Sequence, residues 1–232
     1  MKIAIMQPYI LPYIGYFQLI KAVDKFIIYD DVNFINRGWI NRNRLLVGGK
    51  DSLFTIPLKE ASQNKLIDEI AVNWDSSWKN KFLKTLEQSY KKAPYYEAVL
   101  PLIQASFALD NVPISEVVVE NLRILCKYLE IDTEIVASSR IYQNQHLKAQ
   151  ERILDICLQE KAAHYINPIG GIELYDKAFF EKQGIRLNFI KAKPIVYPQF
   201  KNEFVPWLSI LDVLMFNSVA QIQAFLEEYE LV

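Results

Sequence analysis

Residues 1–31, MKIAIMQPYILPYIGYFQLIKAVDKFIIYDD, decide how the rest of the chain is read. Ile3 to Met6 is a short apolar run with the character of a buried strand. Ile14 to Val23 follows with Ile14, Phe17, Ile20 or Lys21, and Val23 near one stripe, the spacing of a helix. Phe26 to Tyr29 is then apolar without interruption and bounded by charge, as in a central strand of a parallel sheet covered on both faces. Strand, helix and strand within about thirty residues make one βαβ unit. The same stretch has the apolar content of a signal peptide or a membrane helix. Pro8 and Pro12 interrupt it, Gln7 and Gln18 lie inside it, and no small-residue cleavage site follows. The reading is therefore a soluble, cytoplasmic protein without a membrane span.

Outward from this unit, Ser52–Leu58 and Leu66–Val72 read as further strands, paired as a hairpin beside the main sheet. From Asp75 the pattern turns helical, with Trp78, Phe82, Leu86 and Tyr90 at intervals of four and Asp75 or Ser76 available as N-cap. Helices continue through residues 94–109 and 114–131, so residues 75–130 form a helical insertion or cap. Thr133–Ser138 returns to strand, residues 147–161 to helix, and HYINPIGG (164–171) is a strand running into a turn. The helix-like YDKAFFEKQ (175–183) leads to the alternating strand IRLNFI (185–190), and the tail reads as two helices broken near Asn217. The expectation is one α/β domain over 1–232, with a mostly parallel sheet flanked by helices and a helical middle region.

The chain has 232 residues, enough for a sizeable core, and 51% are hydrophobic against 23% charged, which is ordinary for a globular protein. A formal net charge of −1 gives no bulk attraction to nucleic acid. Cys126 and Cys157 sit in apolar, helix-like surroundings that suit reduced core thiols, although a lone pair can also form a disulfide. His146 and His164, the only histidines, have no zinc-ligand spacing, so no metal is expected.

Ligands of open α/β sheets bind beyond the carboxyl ends of the strands. That rule selects Gln7 and the Tyr/Pro loop, then Asp30 and Asp31, then Asn167 with Gly170 and Gly171. Pro8 and Pro12 preset the loop, Gly15 permits close approach near the helix start, and a helix N-terminus favours anions. Tyr13 and Tyr16 either offer hydroxyls and ring faces there or pack under the helical middle. Asp30 and Asp31 are adjacent and face opposite sides of a strand, so each acts alone, as a hydroxyl binder or a base. Arg37, Arg42 and Arg44 form a cationic cluster around Trp39, among Asn33, Asn36, Asn41 and Asn43. Forked donors with a flat ring suit a phosphorylated, ring-containing ligand, the alternative being a solvated hairpin whose arginines pair with nearby acids. NPIGG (167–171) has neither dinucleotide nor Walker spacing; a plain turn is its favoured reading, the alternative being close approach of a ligand to the bare backbone of Gly170 and Gly171. Tyr197 and Gln199 add to the same rim. Asp212 lies in a nearly all-apolar helix and needs a partner, expected to be an arginine of 37–44 or a helix terminus, which makes it a support for the site rather than a member of it. No Ser/His/Asp triad and no Cys/His pair is legible.

MQPYILPYIGYFQLI (6–20), VDKFIIYDDVNFINRGWINRNRL (23–45), YINPIGG (165–171), YPQF (197–200) and FVPWLSILDVLMFN (204–217) together resemble the WbqC-like family, from Met6 to about Asn217. Members of that family tend to be encoded among genes for O-antigen and other surface polysaccharides. The resemblance implies a transferase acting on a nucleotide-activated or otherwise activated sugar, with acyl, aminoacyl and nucleotidyl transfer all open and the cofactor unknown. The alternative is a non-catalytic protein of the same pathway that binds a sugar or a partner. A further likeness is to the nucleotidyltransferases with a HIGH-type nucleotide-binding fold, which implies a Rossmann-like sheet of HUP type. Tyr13 and Tyr16 stand around Gly15 where those enzymes carry the two histidines of an HxGH loop, and ASSR (137–140) is similar to their second phosphate-binding element. Without the histidines, the fold and an anion site at the helix start are what the likeness implies. The expected site is then Asp30, Asp31 and Tyr16 as catalytic groups, with Gln7, Tyr13, Gly15, Asn36, Arg37, Trp39, Arg42, Asn43, Asn167, Gly170, Gly171, Tyr197 and Gln199 holding the ligand.

Overall fold

In the computed structural model, which describes residues 1–201 and 203–232, the apolar runs become the inner strands of a six-stranded sheet. In chain order the elements are β1 (Lys2–Met6), α1 (Ile14–Lys21), β2 (Lys25–Ile28), β3 (Arg42–Val47), β4 (Lys50–Thr55), α2 (Ser76–Tyr90), α3 (Tyr96–Ser106) and α4 (Ile114–Tyr128). Then follow β5 (Glu134–Val136), α5 (Ala149–Gln159), β6 (His164–Pro168), α6 (Lys177–Glu181), β7 (Arg186–Ala192), α7 (Ile210–Phe216), α8 (Val219–Leu226) and β8 (Tyr229–Leu231). The sheet order is β5-β2-β1-β6-β7-β8, parallel throughout except for β8, which runs antiparallel to β7. The chain builds outward from β1 through β2 to β5, then crosses to β6 and β7 on the other side. This is the Rossmann-like order, and its switch point lies between β1 and β6.

The period-2 alternation of the strands explains why both faces are dry. Ile3 and Ile5 of β1, Ile27 of β2, Tyr165 of β6, and Leu187 and Phe189 of β7 pack on one face with Ile153 and Ile156 of α5 and Phe180 of α6. Ala4, Phe26, Ile28, Ile166 and Ile190 point to the other face, against Phe17 and Ile20 of α1, Leu214 of α7 and Ile222 of α8. Full burial of a side chain such as Phe17 or Phe26 stabilises by about 1.5–3 kcal/mol. Helices α2, α3 and α4 belong to this second cluster through Leu86, Val99 and Val117, so the helical middle shares its core with the sheet.

Asp75 caps α2, its Oδ1 accepting from the Trp78 N–H at 2.8 Å, and the four-residue stripe lies inward with Phe82, Leu86 and Tyr90 buried. Both thiols are buried and reduced, and burial pushes each up to about 12. None of the described helices is long and apolar enough to cross a membrane.

Three expectations need correction. The hairpin beside the sheet is β3 paired with β4, from Arg42↔Thr55 to Val47↔Lys50, not residues 52–58 with 66–72. Leu66–Val72 instead forms a 3₁₀ turn at Ile67–Glu69, tied to its surroundings by isolated bridges such as Leu58↔Val72. The polar look of RNRLLV concealed a strand that buries Asn43, Leu45 and Leu46, while two glycines, Gly48 and Gly49 at φ 60° and 79°, make its two-residue turn. The extreme C-terminus, read as helix, is the edge strand β8.

Candidate functional site

The first loop is shaped by residues far away in sequence. The Asn43 side-chain amide on β3 donates to the carbonyls of Ile10 (3.0 Å) and Leu11 (2.8 Å). The Leu11 carbonyl also accepts from the Ser209 hydroxyl at 2.7 Å, and the Ile210 N–H donates to the Pro12 carbonyl at 2.9 Å. The Ser209 N–H in turn donates to the Arg44 carbonyl at 2.9 Å. Leu11, fully buried, is held at φ 44°, a strained backbone angle for a branched side chain that these bonds over-determine. The three stretches 7–16, 37–44 and 204–217 thus converge on one place.

An open cleft of about 230 Å³ lies there, walled by Tyr9, Pro12 and Tyr13 of the loop, Trp39, Asn43 and Arg44 of the hairpin, and Trp207. The Arg42 and Arg44 guanidinium carbons stand 5.8 and 5.1 Å from the Trp39 ring centroid, a cation–π stack. Arg42 spends its donors on the Gly38 carbonyl (Nε, 2.9 Å) and the Arg37 carbonyl, so it braces the turn that carries Trp39. Arg44 pairs with an exposed carboxylate, Asp51 at 3.5 Å, and lines the cleft. Tyr13 meets Trp207 edge-on at 6.0 Å. A Cβ at Gly15 would overlap the Tyr13 ring, so a larger residue there would force Tyr13 to turn from its present position. Trp207 is exposed and sits at φ 60°, where bulky residues are rare.

Tyr16 lies beneath this surface rather than in it. It is buried, its ring packs on Phe26 at 5.2 Å, and its hydroxyl donates to the Gln7 carbonyl at 2.8 Å. Burial pushes the Tyr16 hydroxyl pKa well above the ordinary value. Gln7 is half-buried at the end of β1. Asn36 and Arg37 are exposed on the turn before β3, Arg37 at φ 60°, and neither lines the cleft.

Asp30 and Asp31 follow β2 and meet the segment after β5. Asp30 Oδ1 accepts from the Ser138 hydroxyl (2.7 Å) and the Ser139 N–H (3.2 Å). Asp31 accepts from the Ser139 hydroxyl, from Gln145 Nε2 at 2.8 Å, and pairs with a guanidinium nitrogen of Arg152 at 2.6 Å. Arg152 is itself buried, donates through Nε to Asn144 (2.9 Å), and lies 4.9 Å over the Tyr29 ring. Burial raises the Asp30 carboxyl pKa despite Ser138. Burial also acts upward on Asp31, but the Ser139 hydroxyl and the Arg152 guanidinium outweigh it and hold the carboxyl below its ordinary value. Asp30 and Ser138 line a second cavity of about 530 Å³ that includes Asp68 and Arg123. Ser138 and Ser139 were marked in the sequence only as part of the ASSR run (137–140), whereas Gln145 and Arg152 were not singled out, and nothing local marks Arg152 in an ordinary helical stretch.

Asn167, Gly170 and Gly171 end β6, next to the switch point. Asn167 is buried, accepts from the Tyr165 hydroxyl (3.0 Å), and its amide fills the space a Gly171 Cβ would take, whereas Gly170 faces open space. Tyr197, Gln199 and Asp212 form a buried network. Asp212 accepts from the Tyr90 hydroxyl (3.0 Å), the Tyr197 hydroxyl (2.8 Å) and Gln199 Nε2 (2.6 Å). The partner expected among the arginines of 37–44 is therefore replaced by neutral donors, and burial raises the Asp212 pKa against their pull. Its third donor, Tyr90, comes from α2 in the helical middle, and the same hydroxyl accepts from the Leu46 N–H at 2.7 Å.

No solved structure matches the chain. It is similar to the uncharacterized protein Rv1507c of Mycobacterium tuberculosis (strain ATCC 25618 / H37Rv), with 29% identity over 228 residues and 97% of each chain covered. The model of the WbqC-like protein family matches residues 7–224, which takes in the first loop, the hairpin, the rim after β6 and the whole Ser209–Asp212 region. The convergence of those stretches has its context in that match: the chain belongs to the WbqC-like protein family.

Proposed function

We propose that this protein is a cytoplasmic transferase for a nucleotide-activated or otherwise phosphorylated sugar in surface polysaccharide synthesis, and that the Trp39–Arg44–Tyr13 cleft is where the ligand is recognised. The observation that carries the reading is an arginine that stacks on an aromatic face and otherwise meets an exposed carboxylate, set with two exposed tryptophans around an open cleft. A guanidinium supplies forked donors for phosphate, and flat rings receive the apolar face of a sugar or a base. Asn43 and Ser209 hold the cleft wall in shape, so binding does not have to order it. Asp30 is the carboxylate best suited to a proton-accepting or hydroxyl-binding role, because burial raises its pKa and it lines a cavity, whereas Asp31 is neutralised by Arg152. Tyr16, with its hydroxyl on the Gln7 carbonyl, acts as a support for the loop.

A thermal-shift panel of nucleotides, nucleotide-sugars and sugar phosphates tests the reading. At least one class should raise the melting temperature, since a ligand that binds only the folded state stabilises it by mass action. Arg44→Ala and Trp39→Ala should remove that shift. Silence across every phosphorylated ligand sinks the proposal. The second reading, a non-catalytic sugar-binding protein of the same pathway, is favoured by the cleft lining itself, which is aromatic, amide and guanidinium without a carboxylate. Mass spectrometry of protein incubated with a bound nucleotide-sugar and candidate acceptors separates the two: a new product supports the transferase, binding without product the carrier.

A further inference from the structure

Trp207 is shared by two cavities. On its far side from Arg44 lies an apolar lobe of about 320 Å³, beyond the carboxyl end of β7, which also shares Tyr13 with the cleft. Its lining includes Ile14, Ile195, Val196, Leu208 and Val213. The charged group at its edge, Lys193, is turned to Glu228 at 3.5 Å. Val196 is 71% and Trp207 61% exposed, so the lobe opens to solvent and presents apolar surface to it.

We infer that this lobe receives the aliphatic acyl chain of a ligand whose phosphorylated part lies in the Trp39–Arg44 cleft; the inference rests on the reading of that cleft given above. A second sugar or a base does not suit the lobe, because its polar edges would be desolvated against aliphatic walls with few donors to meet them. An aliphatic chain asks for no such partners. A protein partner fits poorly as well: a stable interface covers about 800 Å² on each side, while this is a concavity near the low end of the roughly 300–1,000 Å³ range of small-molecule pockets. Continuity does the rest. Tyr13 and Trp207 form an edge-on pair that walls both spaces, so one molecule reaching past them meets arginine on one side and aliphatic side chains on the other.

The chain arrives on one of two carriers, a coenzyme-type thioester or the phosphorylated sugar itself, and two ligand ladders distinguish them. Binding is measured by calorimetry for acyl-coenzyme A thioesters from acetyl to octanoyl, and for n-alkyl phosphates from ethyl to octyl. Affinity should rise about three- to fourfold for each added methylene until the lobe is full. A rise in the thioester ladder alone assigns the coenzyme carrier; a rise in both assigns a chain read independently of its carrier. Val196→Asp, at an exposed position, should flatten the slope within its own ladder. Two flat ladders in the wild type, or an unchanged slope in Val196→Asp, overturn the inference. If nucleotide-sugars bind and neither ladder does, the lobe assignment falls while the cleft reading survives. If no phosphorylated probe binds at all, both fall. A solution dimer that shields Val196 from solvent also overturns it.

Discussion

At the end of β2, Asp31 and Arg152 pair inside the protein, the Asp31 side chain wholly buried and the Arg152 side chain nearly so. Around the first loop, Trp39, Arg44 and Trp207 face outward over an open cleft. Both places combine a guanidinium with an aromatic ring, Arg152 over Tyr29 and Arg44 over Trp39, at nearly the same separation of 4.9 and 5.1 Å. In the first, Ser139 and Gln145 donate to the buried carboxylate and Arg152 donates to Asn144, so the cluster ties the segment after β5 and helix α5 to β2. In the second, bonds made elsewhere by Asn43 and Ser209 hold the frame, and the ring and charge are left for something else. The same residue types are tied into the architecture or left free, in the reading proposed above for recognition, according to whether a countercharge is buried with them.

Breaking the inner pair should give the largest effect. Arg152→Met leaves Asp31 buried without its cation and should cost about 3–5 kcal/mol in urea unfolding, with little change for an isosteric change at half-buried Arg44, whose carboxylate partner Asp51 is exposed. The same contrast appears with pH. The folded-state pKa of Asp31 is depressed, so its contribution is complete above the ordinary carboxylate value of about 3.9 and is lost as the pH falls through the lower, folded value. Asp30 has the opposite sign. Its folded pKa is raised, so its contribution is greatest below the ordinary value and declines as the pH rises through the folded one. Urea titrations of Asp31→Asn and Asp30→Asn between pH 2.5 and 7, on the order of that carboxylate range, should therefore change the acid limb in opposite senses. Changes of the same sign would contradict the two environments.

For the outer site the effect belongs to binding. Arg44→Ala should weaken a phosphorylated ligand about 10- to 100-fold, roughly 1.4–2.8 kcal/mol, while moving the unfolding midpoint little. Trp207→Gly sharpens the comparison further. Removing the side chain relieves a left-handed residue of about 1–3 kcal/mol of strain, offset by about 0.5–1 kcal/mol for the freer unfolded chain. Stability should hold or rise by about 1 kcal/mol, measured by urea, while ligand affinity falls. A loss of stability instead would make Trp207 a packing residue. The smallest effect is expected at Arg37, exposed at φ 60° outside the cleft: Arg37→Ala, which removes the side chain and keeps the backbone cost, should leave both stability and affinity within about 0.5 kcal/mol of wild type.

The sequence by itself determined the first βαβ unit, the capped stripe of α2 and the dry central strands. Each rests on local periodicity: two apolar runs too uniform for a one-sided sheet, and apolar residues every four positions behind an aspartate. It also marked the first loop and the Arg/Trp/Asn stretch, because rigid and aromatic residues are unusual where solvated ones suffice. It did not reveal β3, whose inward side chains alternate with arginines, nor β8, a three-residue edge strand with no apolar run of its own. Only the tertiary structure decided which marked residues meet. Asn43 turned out to hold the loop 32 residues before it, Asp212 to face two tyrosines rather than an arginine, and Arg152 to neutralise Asp31 from 121 positions away. The physical reason is that a pattern along the chain reports the face a residue takes, whereas the partner that satisfies a buried polar atom is chosen by packing between distant segments.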